Sequence, residues 1–498
     1  MSFIRNTAVH GAAVLLGSLC WLSAGAADRF DDVRDYIRAR LVAESVPSIA
    51  VAVAQNGKVV WEEGFGWADR ERRVPATEHS MYLLASISKP MTATALMTLV
   101  EKGKVVLDAP ANDYLGAVKL RARVGDDNAA TVRTLLEHTS GLPTHLQFFY
   151  FDEPYRSPSS DETLLRYGNL MTAPGTKYLY SNLGYGTLGY IVERASGQSF
   201  TDYLRREVFL PLGMTHSSMN IGPGLEAYAA TRYFVKNGAP IPYFESDTLG
   251  AGAIYSSAHD LLRFGMFHLK THLRDQRAIL SDASLDAMHQ PAARIDDSSS
   301  YGLGFFVRER QGHHMVMHSG GSPGVATQLV TFPDQKLAIV VLCNLSSKLP
   351  IRVVDRIIAK FLPDWKYEDS FGWPAPPPPR VTFDAPPALL GRWQGTLATY
   401  RGDLPVSLEF TKTGEVHARV ANQLTTLVNN PGFADGTFVG ELAARLHTPD
   451  TDRYEYTIGL SLQLRGGKLS GAAMANDTPG GLRQRSTLGH WLELTKLP

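Results

Sequence analysis

The sequence predicts a mixed α/β (α+β) domain built on an antiparallel sheet, followed by a smaller all-β domain. Three observations support this prediction. Strand-like runs occur at 48–66 and again at 313–345, with helix-like stretches between them. The proline-rich segment GWPAPPPPR at 372–380 has the composition of an extended spacer. From residue 388 onward, apolar and polar residues alternate between turns, as they do in small barrels and sandwiches.

The N-terminal residues have the order of a secretory signal peptide. Arg5 precedes the apolar run AAVLLGSLCWL, and the small residues Ala24 and Ala26 follow it. We therefore expect a signal at 1–26, cut after Ala26 or close by, and an exported protein of the periplasm or the medium. The apolar run is too short to span a bilayer, so no transmembrane span is expected.

Composition excludes several classes of partner. Lys plus Arg equals Asp plus Glu, 49 each, so no long-range field attracts nucleic acid or an anionic membrane. Removal of the signal would also remove Cys20 and leave Cys343 as the one remaining cysteine, so no internal disulfide is expected. Cys343 lies in the strand-like run AIVVLCNL and is expected to be an inert core thiol. The oligomeric state is not predicted.

The first domain, expected at 27–371, begins with a hairpin. Asn56-Gly57 separates two β-branched runs and tolerates the positive φ angles of a two-residue turn. The segment 313–345 predicts three more strands, with turns at Gly320-Gly321 and Pro333-Asp334. Helices are expected between these strands, at 90–102, 184–195, 199–207 and 257–269. This order of strands and helices predicts one sheet that is formed by both ends of the domain, with a helical insertion between them.

A linker at 372–387 and a C-terminal domain at 388–498 complete the predicted organisation. The expected strands of this last domain are GRWQGTLATY, LPVSLEFT, EVHARVAN, YTIGLSLQLR, KLSGAAMA and HWLELTKL.

The first candidate for chemistry is the stretch ASISKPMTATALMTLVEKG at 85–103. Pro90 is tolerated in a first helical turn, so a helix should begin near Ser86 and run to about 102. Lys89 then lies one turn from Ser86 on the same face. A lysine that loses its water there can accept a proton from a serine. The alternative is an ordinary serine cap with a solvated lysine.

Two further motifs strengthen the catalytic interpretation. Tyr180-Ser181-Asn182 follows a Pro-Gly turn and precedes a glycine-rich helix, and His318-Ser319-Gly320 ends a predicted strand. In order and context the three motifs resemble those of the serine β-lactamase and penicillin-binding-protein superfamily. The resemblance is strongest to class C β-lactamases, D-aminopeptidases and family VIII esterases. It covers about 40–365 and includes LLEHTSGLP, LGAGAIYSSAHDLLRF and YGLGF.

This resemblance implies a DD-peptidase/β-lactamase fold and an acyl-enzyme mechanism without cofactor or metal. It implies that Ser86 is the acylated nucleophile, and that Lys89 and Tyr180 share its proton. The backbone N–H groups of Ser86 and Gly321 would form the oxyanion hole. His318 completes the implied catalytic set, and the implied substrate-binding residues are Asn182, Ser319 and Gly320. The C-terminal domain resembles the lipocalin-like appendages of some members.

The third motif departs from β-lactamases, which have a lysine at the position of His318. Histidine is only partly protonated at neutral pH and is a weaker anchor for a substrate carboxylate. This favours a small ester, amide or D-amino-acid peptide as substrate over a β-lactam. The aromatic run 148–151 is expected to belong to the core of the helical insertion, with an acyl pocket as the alternative.

Three other interpretations remain. GGSPG at 320–324 fits the nucleophile elbow of α/β-hydrolases, with Ser322 as nucleophile, although the residues after it predict a strand and not the required helix. GYGTLG at 184–189 fits a dinucleotide fingerprint but lacks a preceding strand. A binding or sensor protein of the same fold could trap an acyl group without turnover. His138 is expected to make a structural hydrogen bond.

Overall fold

The computed structural model describes residues 28–367, 383–477 and 486–498, and the predicted signal peptide and most of the predicted linker lie outside them. The first domain contains a nine-stranded sheet. Its strands, in spatial order, are Ala293–Arg294, Ser299–Tyr301, Phe306–Arg310, His313–Ser322, Val325–Phe332, Leu337–Cys343, Ser48–Gln55, Lys58–Asp69 and Val74–Pro75. Neighbouring strands are antiparallel, and Ile49 pairs with Cys343, so the two ends of the domain meet in one sheet as predicted.

Alternation along Ser48–Gln55 divides the core between the two faces of the sheet. Its three large β-branched side chains face the helices Asp31–Ala43 and Leu349–Ile358. Its alanines face the other side, where the helix Ala258–His268 crosses the sheet. Small side chains on that side let the helix approach closely, since a Cβ on Gly265 would lie 3.4 Å from the Cβ of Ala338.

The four predicted helices are present with small changes of boundary. They are Ser88–Glu101, Asn182–Ser196, Phe200–Leu204 with the π turn Arg205–Phe209, and Ala258–His268. Further helices occur at Val132–Leu136, Ser160–Tyr167, Leu249–Gly252 and Asp282–Met288. Among the residues that the structure describes, no helix has both the length and the apolar character needed to cross a membrane.

One predicted turn is wrong. Gly320 and Gly321 lie inside the strand His313–Ser322, and the chain reverses at Pro323-Gly324, where Gly324 has φ +71°. Glycine at 320 is required by packing and not by a turn, because a Cβ there would lie 2.0 Å from the carbonyl oxygen of Leu84. The hairpin at Asn56-Gly57 is confirmed, with φ angles of +52° and +75°.

The C-terminal domain is a nearly closed, barrel-like antiparallel sheet. Its strands, in spatial order, are Thr426–Leu427, Val416–Val420, Gly402–Phe410, Gly391–Thr399, Ser486–Lys496, Lys468–Asp477, Tyr456–Arg465, Thr437–Leu442 and Asn429–Ala434. The six predicted strands are all present. The interior is filled by side chains such as Trp393, Phe410 and Phe438, which are at most 2% exposed. The domain boundaries at 26, 371 and 387 remain predictions.

An unexpected strand joins the two domains. Leu146–Tyr150, expected as part of a helical insertion, pairs through residues 148–150 with Phe244–Ser246 and through residues 146–147 with the start of Ser486–Lys496. The sheet of the C-terminal domain therefore continues into the first domain, because the Gln147–Ser486 pair crosses between them.

Five buried histidines make the fold sensitive to acid. Burial lowers the pKa of each imidazole, to about 4 for His289 and His490, to about 3 for His318, and well below the usual range for His138 and His268. In the unfolded chain these groups bind protons below pH ~6.5. Since the unfolded state then holds more protons than the folded state, stability is lost as pH falls below that value.

We therefore expect the free energy of unfolding, measured in urea, to fall between pH 7.5 and 5.5, before carboxylates titrate. Each such histidine contributes up to about 1.4 kcal/mol per pH unit. His490→Gln should flatten this dependence, whereas the same change at the exposed His272 should not. Equal stability at the two pH values would contradict the argument.

Candidate active site

Ser86 is presented at the entrance of a buried helix. It lies in the 3-10 turn Ala85–Ile87, which leads directly into Ser88–Glu101. Ala85 has φ +49°, a strained value for a residue with a side chain, and this bends the chain into the turn. Ser86 is the one residue between 81 and 90 that is not buried, so its hydroxyl is open to the cleft described below.

The Lys89 nitrogen is fully buried and has three oxygen partners. It lies 3.2 Å from the Ser86 hydroxyl, 2.8 Å from Oδ1 of Asn182 and 2.9 Å from the carbonyl oxygen of Ala251. The amide and carbonyl oxygens can only accept hydrogen bonds. A neutral amine has two N–H groups, which these two acceptors occupy. Its lone pair then points to Ser86, as a general base requires.

The pKa directions favour Lys89 over Tyr180 as a proton acceptor. Burial holds the pKa of the Lys89 ammonium well below its usual range. Loss of solvent raises the pKa of the Tyr180 phenol, which a hydrogen bond with Ser86 only partly opposes. The Lys89 nitrogen lies 4.7 Å from the centre of the Tyr180 ring. A lysine that releases its proton easily suits the role of acceptor, and a phenol that keeps its proton suits the role of donor.

The strand His313–Ser322 supplies the opposite edge of the site. Gly320 lets this strand approach the backbone of Leu84, and the Thr327 hydroxyl donates a hydrogen bond to the Leu84 carbonyl oxygen over 2.9 Å. The next residue, Gly321, lines the cleft, and a Cβ there would meet nothing within 4 Å. Gly320 is therefore the residue that allows close approach between backbones, and Gly321 leaves its backbone accessible from the cleft.

His318 is buried and is not among the described lining residues of the cleft. Its ring is 1% exposed, with Nδ1 2.7 Å from the carbonyl oxygen of Ser319 and Nε2 3.0 Å from the Tyr301 hydroxyl. Because the carbonyl only accepts, Nδ1 carries the proton, and Nε2 accepts from Tyr301. Burial is the largest cause that lowers the pKa of His318, to about 3. This imidazole is neutral at neutral pH, so the partial charge expected from the sequence is absent.

A cleft of about 290 Å³ opens over Ser86. Its apolar and aromatic lining is provided by Leu83, Leu146, Phe148, Tyr243, Phe244 and Tyr255. Among the lining residues that the structure describes, Glu245 is the only one with a charged side chain. Phe148 thus lines the cleft, although the core was the expected place for its aromatic run. His318, Ser319 and Gly320 are outside the described lining, whereas Tyr180, Asn182 and Gly321 belong to it.

The structure is inconsistent with the nucleophile-elbow and dinucleotide-binding interpretations. Ser322 ends a strand and is followed by the strand Val325–Phe332, so it is not on the strand-to-helix turn of a nucleophile elbow. GYGTLG lies inside the helix Asn182–Ser196, where Gly189 packs against Gly250. His138 is structural as expected, since its Nδ1 accepts a hydrogen bond from the Ser181 N–H over 3.0 Å.

Sequence reasoning missed two contributors to the site. The Ala251 carbonyl is a backbone group that no side-chain motif reveals, although it lies in the stretch LGAGA. Tyr301, which holds His318, lies in YGLGF, and that stretch carried no chemical signal of its own. In the described part of the chain, no group of histidine, cysteine, aspartate or glutamate side chains could hold a metal ion.

Comparison with known proteins identifies the family. Residues 33–361, more than half of the chain, match the family model described as Beta-lactamase. The chain belongs to the beta-lactamase family. Within this family, protein flp of Staphylococcus aureus (strain MRSA252) is 26% identical over 326 residues, 65% of this chain and 64% of its own length. A penicillin-binding protein of Bacillus subtilis (strain 168) is 28% identical over 59% of this chain and 67% of its own.

Solved structures show the same fold. A class C beta-lactamase aligns with a TM-score of 0.58 and 22% identity over 68% of this chain and 97% of its own. A penicillin-binding protein homologue from Pyrococcus abyssi aligns with a TM-score of 0.59 and 22% identity over 92% of this chain and 99% of its own. The latter alignment extends past the beta-lactamase family match into the C-terminal sheet.

The proton assignment predicts how Tyr180→Phe affects labelling of Ser86 by a fluorophosphonate. If Lys89 is the base, the rate falls as pH drops below the Lys89 pKa, because the amine becomes protonated. Tyr180→Phe should slow labelling by about 10²-fold or more while this acid limb stays at the same pH. Loss of the acid limb in that variant would instead make the phenol the base. Ser322→Ala is the matched serine control and should label normally.

Proposed function

We propose that the protein is a serine hydrolase that cleaves uncharged esters or amides through an acyl-enzyme on Ser86. The observation that carries this proposal is the Lys89 nitrogen, which is buried, occupied by two acceptors and left with one direction free toward a serine hydroxyl. A base in that position removes the hydroxyl proton as the oxygen attacks the carbonyl carbon.

The remaining groups of the site fit the later steps. The backbone N–H groups of Ser86 and Gly321 would stabilise the negative oxygen of the tetrahedral intermediate. Tyr180 would donate a proton to the leaving alcohol or amine and be reprotonated through Lys89. A water molecule would then attack the acyl carbon and lose its proton to the same pair of groups, and that proton would pass to the Ser86 oxygen as the bond to it breaks and the acid product leaves.

The charge of the cleft supports an uncharged substrate. Anchoring a substrate carboxylate requires a cation, and the neutral His318 supplies none. The one charged residue of the described lining is the acidic Glu245, which repels a carboxylate. The cleft of about 290 Å³ and its aromatic lining suit a small apolar acyl group. Esters and amides without a carboxylate are therefore favoured over β-lactams and over peptides with a free carboxyl end.

We also propose that the protein acts outside the cytoplasm. Support comes from the order of residues 1–26, in which a positive charge, an apolar run and small residues succeed one another. These residues lie outside the described structure, so the proposal rests on sequence alone.

A matched pair of substrates tests the main proposal. An N-acyl-D-alanyl depsipeptide with a free carboxylate and its methyl ester share the same scissile depsipeptide bond and differ only at the terminal carboxyl group, which is charged in the first and uncharged in the second. We expect kcat/KM to be at least tenfold higher for the methyl ester, with p-nitrophenyl butyrate also hydrolysed and nitrocefin turned over poorly. Ser86→Ala should abolish every activity.

Two results would contradict this expectation. Preference for the free acid would point to a carboxylate anchor that the lining does not contain. An acyl adduct on the intact protein that forms with the ester but does not decay, followed by mass spectrometry, would identify an acyl-trapping protein and not an enzyme.

A further inference from the structure

The wall of the cleft is held between the two domains. Leu146 and Phe148, which line the cleft, belong to the strand Leu146–Tyr150. Phe148 pairs with Ser246 of the first domain, while Leu146 pairs with Thr487 of the C-terminal domain. The two pairings cover different parts of this strand, 146–147 and 148–150, so each domain holds one of the two cleft-lining side chains through backbone pairing.

Arg453 of the C-terminal domain contacts this strand through its guanidinium group. Its side chain is 2% exposed, and Nη2 donates a hydrogen bond to the Phe148 carbonyl oxygen over 2.8 Å. The guanidinium lies 4.4 Å from the centre of the Phe149 ring and 3.6 Å from a Glu153 carboxylate oxygen. A buried guanidinium is costly unless its position satisfies such contacts, so Arg453 and the strand constrain each other.

A second contact reaches the segment that carries Tyr180. Gly489 lies against Pro143, and a Cβ there would come within 2.8 Å of the proline Cγ. The Pro143 carbonyl oxygen accepts a 2.8 Å hydrogen bond from the hydroxyl of Ser181, the residue after Tyr180. The C-terminal domain thus contacts the supports of the cleft at two places, although none of its residues is in the described lining of the cleft.

We propose that the C-terminal domain determines acyl selectivity, with Arg453 as the positioning residue for the cleft wall. The inference takes its substrate class, uncharged esters and amides, from the proposed function. Because Arg453 contacts the backbone of Phe148, its removal lets Leu146 and Phe148 shift and spoils the fit of long acyl chains. Short acyl groups and the reactivity of Ser86 depend on contacts within the first domain and are spared.

The test compares Arg453→Met, which keeps an unbranched side chain but removes the donor and the charge, with Arg419→Met at an exposed position of the same domain. We expect the ratio of kcat/KM for p-nitrophenyl octanoate to that for the acetate to fall at least fivefold, chiefly through KM. The rate of fluorophosphonate labelling should change less than twofold. Arg419→Met should match the wild type in all three measurements.

A second variant and a binding measurement cover the other outcomes. Gly489→Ala is the substitute if Arg453→Met does not fold. It retains Arg453 and places a Cβ against Pro143, and it should lower the ratio of kcat/KM for the octanoate to that for the acetate. Affinity for 2-decanone, an unreactive mimic of a long acyl chain, should weaken by a similar factor in both variants. If the wild type hydrolyses no ester but both variants bind 2-decanone more weakly, the proposed function is contradicted and the role of Arg453 in shaping the cleft wall is supported. An unchanged ratio and unchanged affinity in folded variants would overturn it.

Discussion

The structure of the site depends on one constraint, which is that the Lys89 amine must be shielded from water within hydrogen-bond distance of the Ser86 hydroxyl. A lysine nitrogen loses much of its preference for charge only when water is excluded and the remaining partners are few and fixed. The helix Ser88–Glu101 meets the first condition because it is buried along almost its whole length. Asn182 and Ala251 meet the second, and each belongs to a different segment packed against that helix.

Close packing of those segments explains the glycines around the site. A Cβ on Gly250 would lie 2.4 Å from the Tyr185 carbonyl oxygen, and one on Gly186 would lie 2.9 Å from the side chain of Thr248. The helix Asn182–Ser196 and the turn Leu249–Gly252 therefore approach at backbone distance. The Thr92 hydroxyl of the helix Ser88–Glu101 donates a 2.7 Å hydrogen bond to the Gly250 carbonyl oxygen in the same turn. These contacts bring the Asn182 and Ala251 oxygens within hydrogen-bond reach of the Lys89 nitrogen.

The sequence was sufficient where local patterns decide the structure. The Asn56-Gly57 hairpin, the helix after Ser86 and the strands of the C-terminal sheet follow from turn chemistry and from hydrophobic periodicity. It was insufficient where distant segments meet. Gly320 and Gly321 look like a turn, yet the contact of Gly320 with Leu84 keeps them in a strand. Likewise the neutral state of His318 depends on its burial in the folded sheet, which also brings the Tyr301 hydroxyl beside its ring.

The strand Leu146–Tyr150 shows the same limit on a larger scale, and it also explains how the two domains divide their work. Its sequence, LQFFY, carries no sign that a strand more than three hundred residues away will pair with it. Proton transfer needs positions fixed to fractions of an ångström, and the groups for it come from the core of one domain. An acyl pocket needs only a shape, which a neighbouring domain can supply through backbone pairing and one buried guanidinium. Changes in the C-terminal sheet can therefore alter the pocket while leaving the lysine and serine undisturbed.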